Sequence, residues 1–255
     1  MAVPLRVFGV SCIVFYLVGS RATKVGKAIK ARLEVGHKEA GERDVWQVIS
    51  NSFAALISAV LWSGIYVPNS IWTPLIPQGL HSQGFALNLS EYCPIDQFTG
   101  YSRFLIFAAL GHFACCLGDT LASELGILSK SRPILITTLR PVPPGTNGAL
   151  STIGTLVSFL GGVIIGFTVA AVLLIQSVPC RQQAWNVLFE LTKWGFIAGG
   201  VGSILDSLMG ATIQKTRYSK KLSMILQDDT PARPEDEVTV VSGVGILTNG
   251  QVNAT

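Results

Sequence analysis

Two short acidic blocks inside apolar segments contain the residues of this sequence that are best suited to chemistry. The first block contains Asp119 and Glu124, and the second contains Asp206. A carboxylate at membrane depth is energetically costly and persists mainly where it pairs, binds an ion or lines a polar cavity. Three carboxylates at the mouth of a helical bundle could hold Mg²⁺, which prefers hard oxygen ligands and often completes its coordination with substrate phosphates. Asp119, Glu124 and Asp206 are therefore candidate catalytic and metal-binding residues.

A polar turn and a group of basic residues could bind phosphate near these acids. Thr146 and Asn147 belong to a Pro- and Gly-rich turn, residues 143–148, that precedes an apolar segment. Backbone N–H groups at such a turn and at a helix N-terminus suit phosphate oxygens. Basic side chains on the same connection could neutralise further phosphate charge, and these are Lys130, Arg132 and Arg140. The combination favours phosphoryl transfer, although residues 143–148 taken alone are equally typical of a simple turn.

Helical geometry limits how these acids can act together. Asp119 and Glu124 are separated by about 140° around an ideal helix, so they share a face only if the helix bends between them. Either aspartate could instead pair with Lys193 or form hydrogen bonds to neighbouring helices. A purely structural role for each acid therefore remains an alternative.

The elements that must position these residues are membrane helices. Charged residues make up 13% of the 255 residues, and the mean hydropathy is +0.49. Apolar runs of roughly 20 residues predict an all-α, polytopic helical membrane protein with about five transmembrane helices. One membrane domain would cover residues 1–216, and residues 217–255 would form a cytosolic, partly disordered tail. The predicted spans lie near 4–19, 47–67, 103–128, 148–178 and 187–213. A signal peptide is the competing interpretation of the short first segment, but Lys and Arg follow it instead of a small-residue cleavage site.

The distribution of charge between the spans predicts their orientation. Residues 67–102 contain no Lys or Arg, whereas residues 21–43, 129–147 and the tail are rich in them. The positive-inside rule then places the basic segments in the cytosol and residues 67–102 outside. Asp119 and Asp206 would lie about 13 Å and about 10 Å from the cytosolic ends of their spans. The acids and the 143–148 turn are thus expected to converge on the cytosolic leaflet.

The predicted outer loops contain two further candidate sites. Asn88 begins a three-residue glycosylation sequon, which is a weak signal by itself. Cys93 and Cys180 fall on the two outer loops, where an oxidising compartment would allow a disulfide between them. The other cysteines lie in apolar runs and are interpreted as packing residues. No nucleic-acid-binding motif is present, and the net charge of +4 is accounted for by the cytosolic loops.

Four blocks of this sequence resemble the transmembrane protein 19 family. They are residues 116–126, 133–138, 144–148 and 202–212, and the resemblance extends from about residue 24 to 216. That family includes a plant plastid enzyme, phytyl-phosphate kinase. The resemblance implies a multi-pass membrane enzyme that phosphorylates a phytyl or polyprenyl monophosphate with a nucleoside triphosphate as donor. Such an acceptor phosphate is already ionised, so positioning and charge neutralisation would dominate over general-base catalysis.

The resemblance also leaves other expectations and alternatives. Similar proteins begin and end with further hydrophobic segments, so this chain is expected to be a shortened form that lacks the outer helices. Membrane lipids and an isoprenyl phosphate are the expected partners, and an endomembrane such as the endoplasmic reticulum is expected over the plasma membrane. The partial echo between the two acidic blocks also fits a membrane transporter with internal repeats. A lipid-handling or scaffold protein without catalysis is the remaining alternative.

Overall fold

Five long helices form the bundle. The computed structural model describes residues 5–26, 29, 34–35, 45–80, 88–89, 91–96, 99–226 and 237–244. Within them, five helices are long and apolar enough to cross a membrane, which confirms the predicted helical membrane class. A short helix, α5, separates the last two of them. The helices are α1 (Val7–Lys24), α2 (Val45–Tyr66), α3 (Tyr101–Gly126), α4 (Thr152–Gln176), α5 (Val178–Gln182) and α6 (Ala184–Ile213).

The helix ends follow local sequence signals. The first helix continues past the predicted residue 19, and its last turn contains Arg21 and Lys24, which interact favourably with the helix dipole. Helix α4 begins after Ser151, whose side chain accepts a hydrogen bond of 3.0 Å from the Gly154 N–H. Ser177 caps α5 in the same way, because its hydroxyl oxygen accepts from the Cys180 N–H at 3.3 Å.

Glycines bring α3, α4 and α6 into backbone contact at the centre of the bundle. A Cβ atom on Gly162 of α4 would overlap the carbonyl oxygen of Gly195 on α6. A Cβ atom on Gly118 of α3 would lie 2.6 Å from the Gly199 carbonyl oxygen and 2.9 Å from the Ser158 carbonyl oxygen. Small residues of this kind allow the close helix approach that membrane bundles depend on, because bilayer lipid offers little hydrophobic drive for association.

Two small sheets accompany the helices at one end of the bundle. The larger has the strand order β1-β5-β4-β6, in which β1 is parallel to β5 and the other pairs are antiparallel. The smaller pairs β2 with β3, and the two strands enclose the segment that contains the 143–148 turn. The strands are β1 (Glu34–Val35), β2 (Ile134–Leu135), β3 (Ala149–Leu150), β4 (Thr216–Ser219), β5 (Met224–Leu226) and β6 (Val238–Ser242).

The larger sheet contains part of the segment predicted to be a cytosolic, partly disordered tail, residues 217–255, and that description of the whole tail stays a prediction. Residues 217–226 and 238–242 of that tail form strands or the turn between them. Strands of three to five residues are too short to produce a clear alternation of polar and apolar residues, which is why the sequence did not indicate them. Residues 227–236 of the tail lie outside the described residues, as does much of the basic run 21–43.

The opposite end of the bundle carries a disulfide between Cys93 and Cys180, with their Cα atoms 4.9 Å apart. We call this the disulfide end; it comprises the described residues between 88 and 103, residues 176–190 and the C-terminal turn of α2. Asn88 is exposed there, and its side-chain amide donates to Glu91 Oε1 at 3.0 Å. Ser90, the third residue of the sequon, lies outside the described residues, so glycosylation of Asn88 stays a prediction.

Candidate functional site

A polar cavity of about 250 Å³ opens at the end of the bundle opposite the disulfide. Its walls come from the C-terminal parts of α3 and α6, the N-terminal part of α4 and the 143–148 turn. We call this the cavity end. Three of the predicted polar blocks therefore meet in one place, as the sequence led us to expect.

Asp119 of α3 and Asp206 of α6 both line the cavity, and their carboxyl groups are close enough to interact electrostatically. Among the described residues that line the cavity, these two aspartates carry the charge. No described Lys, Arg or His lines it. Two ionised carboxylates at such a distance repel each other, so a shared proton or a bound cation must offset the repulsion. The arrangement is therefore that of an acid pair, which either shares a proton or binds a cation.

Glycine contacts determine where the two acids meet. Gly118 immediately precedes Asp119, and its close approach to Gly199 fixes the spacing of α3 and α6 there. One turn before Asp206, a Cβ atom on Gly202 would overlap the side chain of Cys115. A larger residue at Gly118 or Gly202 would push the helices apart and separate the two carboxylates.

Polar and small residues on three helices complete the walls, and sequence reasoning missed them. On α4 they follow the spacing i, i+3, i+4, i+7, which places them on one helical face. The same spacing recurs on α3 and α6, so a search for polar stripes within apolar spans would have found them. Together with the predicted Asp119 and Asp206, the stripes are the cap residue Ser151 with Gly154, Thr155 and Ser158 on α4, Ala122, Ser123 and Gly126 on α3, and Ser203, Ser207 and Gly210 on α6.

The 143–148 turn lies against the C-terminal part of α6. Gly148 has φ +76°, a conformation that favours glycine, and a Cβ atom there would overlap Ala211 and the Ser207 carbonyl oxygen. Thr146 and Asn147 both line the cavity. The Thr146 hydroxyl donates to the Pro143 carbonyl oxygen at 2.7 Å, so its proton stabilises the turn. The side-chain amide of Asn147 has no hydrogen-bond partner among the described residues, so it is available to bind a ligand in the cavity.

Glu124 does not line the cavity. Helix α3 is continuous from Tyr101 to Gly126, so the bend that would have brought Glu124 to the face of Asp119 is absent. Among the described residues, no group of three His, Cys, Asp or Glu side chains is arranged to hold a metal ion. Of the three predicted carboxylates, the structure thus brings Asp119 and Asp206 together at the cavity and leaves Glu124 outside it.

The structure does not bring the three basic residues of the connection between α3 and α4 to the cavity either. Lys130, Arg132 and Arg140 are all exposed, and none of them lines the cavity. Ser129 and Ser131 line it instead, and their hydroxyl oxygens lie 2.9 Å apart. The two serines thus lie at the mouth of the cavity, whereas Lys130 between them is directed to solvent.

Comparisons with known proteins agree with the membrane fold. The family described as "Integral membrane protein DUF92" matches residues 1–255. Protein PGR of Arabidopsis thaliana is 32% identical over 96% of this chain and 76% of its own length. Protein VTE6, chloroplastic, of the same plant is 27% identical over 82% of this chain and 50% of its own length. An uncharacterized membrane protein of Synechocystis sp. is 27% identical over 78% of this chain and 60% of its own length.

No solved structure matches the chain. The chain spans between half and about three quarters of the length of these relatives. One of them carries "chloroplastic" in its name, so nothing in the comparisons supports the expected endoplasmic reticulum location.

Proposed function

Because the chain belongs to the DUF92 family of integral membrane proteins, we propose that it is an isoprenyl-phosphate kinase. It would transfer a phosphoryl group from a nucleoside triphosphate to a phytyl or polyprenyl monophosphate. The observation that carries the proposal is the acid pair Asp119 and Asp206, which faces a polar cavity that no described cationic side chain lines. Phosphates would be repelled there unless divalent cations accompany them.

The donor set of the cavity fits Mg²⁺. Two carboxylates and several hydroxyl groups line it, and no described thiol or imidazole does. Mg²⁺ is commonly bound through one or two carboxylates together with substrate phosphates, so a pair is sufficient. Asp119 and Asp206 would hold the ion, with Ser203 and Ser207 as neighbouring oxygen donors. When bound, Mg²⁺ supplies the positive charge that offsets the charge of the phosphates.

The reaction itself requires little of the side chains beyond positioning. An oxygen of the lipid monophosphate attacks the terminal phosphorus of the nucleotide, a new P–O bond forms, and the nucleoside diphosphate leaves. The products are the lipid diphosphate and the nucleoside diphosphate, and no proton has to be removed from an ionised phosphate nucleophile. Asn147 would bind a phosphate oxygen through its side-chain amide, and the polar stripes of α3, α4 and α6 would keep the phosphates within the cavity.

The position of Ile204 supports a lipid as the acceptor. Ile204 lines the cavity and is 37% exposed. Leu205 and Leu208 on the same helix are also exposed, and exposed apolar residues on a membrane-spanning helix face lipid. A headgroup in the cavity would therefore lie beside the hydrocarbon that accommodates its chain. The isoprenyl nature of that chain rests on the family resemblance described above.

The proposal is tested with membranes that contain this chain, Mg²⁺, and CTP or ATP. Phytyl, farnesyl or geranylgeranyl monophosphate is added, and lipid diphosphate is measured. We expect product from the wild type and a loss of about 100-fold or more in Asp119→Asn and Asp206→Asn, because each removes a charge on which cation binding depends. Glu124→Gln is the matched control, since it removes a carboxylate of the same helix that does not line the cavity.

The outcomes separate the proposal from its alternatives. Full turnover in Asp119→Asn would contradict the assigned site even if the protein is a kinase. No product from the wild type, nor from a longer relative that contains the whole family region, would contradict the kinase proposal. Lipid or cation flux in reconstituted vesicles without any nucleotide would then favour transport, for which the same acid pair is suited.

A further inference from the structure

The larger sheet is hydrogen-bonded to the 143–148 turn through two buried hydroxyl groups. The Asn147 N–H donates to Thr216 Oγ1 at 3.1 Å. The Ser242 hydroxyl lies 3.1 Å from Thr216 Oγ1 and 3.4 Å from the Asn147 carbonyl oxygen, so it can donate to either. The exposed fractions of Thr216 and Ser242 are 2% and 8%. Both backbone polar groups of Asn147 therefore lie within hydrogen-bond distance of side chains of the sheet.

The same sheet is also attached to the end of helix α6. The Val244 N–H donates to the Thr212 carbonyl oxygen at 3.1 Å, which satisfies one of the carbonyl groups left unpaired at a helix C-terminus. A Cβ atom on Gly243 would overlap the Gln214 carbonyl oxygen, and Gly243 has φ +75°. Strand β6 thus contacts the turn through Ser242 and α6 through the next two residues.

These contacts connect two walls of the cavity, helix α6 and the 143–148 turn, which have different roles in the proposed reaction. Helix α6 contributes Asp206, and the turn contributes Asn147. Without the sheet, the turn would be held to α6 chiefly by the approach of Gly148 to Ser207 and Ala211. We infer that Thr216 and Ser242 are positioning residues, which fix Asn147 relative to Asp206 so that its amide meets the phosphate of the lipid substrate. The inference rests on the proposed function for its effect on turnover.

Hydrogen–deuterium exchange on the full chain in nanodiscs tests the structural part without any substrate. Thr216→Val keeps the shape of the side chain and removes the acceptor for the Asn147 N–H. We expect the amides of the 143–148 turn to exchange about tenfold faster or more in this variant, and at the wild-type rate in Thr216→Ser. Thr239→Val is the matched control, because its hydroxyl bonds to the Tyr218 carbonyl oxygen within the sheet. Exchange in Thr216→Val at the wild-type rate, or equal acceleration in Thr239→Val, would overturn the inference.

Steady-state kinetics of the same variants test the consequence. A positioning role predicts that Thr216→Val raises KM for the lipid monophosphate about three- to tenfold and changes kcat less than about twofold. Thr216→Ser should restore KM, and Thr239→Val should leave it unchanged. Faster exchange with an unchanged KM would show that Asn147 does not meet the phosphate and would overturn the positioning role. A wild type without turnover would count against the proposed function alone, since the exchange result decides separately whether Thr216 holds the turn.

Discussion

The two ends of the same helices differ in how their polar groups are satisfied. At the disulfide end, the Trp62 indole N–H donates to Ser102 Oγ at 2.8 Å, and the Tyr66 hydroxyl donates to the Thr99 carbonyl oxygen at 2.9 Å. At the cavity end, Asp119 and Asp206 face each other, and no described cationic side chain joins them. One end is thus built for stability, whereas the other retains an electrostatic cost of the kind that functional sites show.

Two further hydrogen bonds and an ion pair stabilise the disulfide end. Its remaining bonds connect loop, short helix and long helices across large sequence separations: Ser177 to Tyr92, Gln183 to Asp96, and Arg103 to Glu190. The cavity end depends instead on glycine packing, on the turn and on the sheet. A rigid scaffold at one end is what allows a precise arrangement of side chains at the other. The comparison predicts that changes at the two ends will have separable effects.

The largest effect on stability is expected at the glycine contact of α4 and α6, which lies between the two ends of the bundle. In Gly162→Val the new side chain would overlap the Gly195 carbonyl oxygen, a backbone atom that cannot move without separating the helices. We expect no folded protein by size-exclusion chromatography in detergent, which corresponds to a loss of more than about 4 kcal/mol. Gly111→Ala is the control, because nothing lies within 4 Å of the added Cβ there, and it should be stabilising by up to about 1 kcal/mol.

The second-largest effect is expected at the disulfide end, where a substitution should lower stability without lowering turnover. Cys93→Ser opens a disulfide that closes a separation of 87 residues, and removal of a native disulfide typically costs about 2 to 5 kcal/mol. The thermal unfolding midpoint should fall accordingly, while lipid kinase turnover at low temperature should persist because the cavity lies at the other end. Cys12→Ala, which removes a free thiol of α1, should change neither. Loss of turnover with a folded protein would show that the two ends are coupled.

Hydropathy predicted the fold because lipid permits few structures to span it. Every backbone polar group in a membrane must be satisfied within the chain, so long apolar runs become helices with little dependence on context. The predicted span 187–213 and the observed Ala184–Ile213 accordingly agree within three residues. The sheet depended on contacts distant in sequence, such as Glu34 with Ile225, and short strands of this kind carry little local signal.

The arrangement of the site could be predicted in part from the sequence. Asp119 and Asp206 were recognisable because a carboxylate in an apolar run is itself informative. Glu124 was included on the condition that the helix bends between it and Asp119, whereas α3 is continuous and directs the two side chains about 140° apart. Lys130 was included because it lies on the connection that carries the turn, and the direction of a side chain on such a connection depends on packing that the sequence does not show. Helical spacing from Asp206 would also have indicated Ser203 and Ser207.

The third prediction concerns the acid pair and the stability of the cavity end. Mg²⁺ should raise the thermal unfolding midpoint of the wild type, because a ligand at 100 times its dissociation constant stabilises by about 2.7 kcal/mol. Asp206→Asn should abolish this increase and leave stability in EDTA unchanged or higher, since it removes the repulsion from Asp119. Differential scanning fluorimetry with and without Mg²⁺ makes the measurement, with Glu124→Gln as the control that keeps the increase. An equal Mg²⁺ effect in Asp206→Asn would place the cation elsewhere.

The smallest effect is expected at the ion pair of the disulfide end. Arg103 bonds to Glu190 Oε1 and to the Ile95 carbonyl oxygen, each at 2.5 Å, and its guanidinium lies 5.0 Å from the Phe107 ring centre. The side chains of the pair are 31% and 30% exposed, and exposed ion pairs contribute less than about 1 kcal/mol. Arg103→Lys keeps the charge but loses the two-partner geometry.

We therefore expect Arg103→Lys to lower the thermal unfolding midpoint by at most about 4 °C. Its Mg²⁺-dependent increase should equal that of the wild type, because the pair lies at the end of the bundle opposite the acids. Glu190→Gln should behave in the same way, since it removes the charge of the other partner. A reduced Mg²⁺ effect in either variant would mean that the glycine-packed helices transmit changes from one end to the other, so that stability and cation binding are not separable in this bundle.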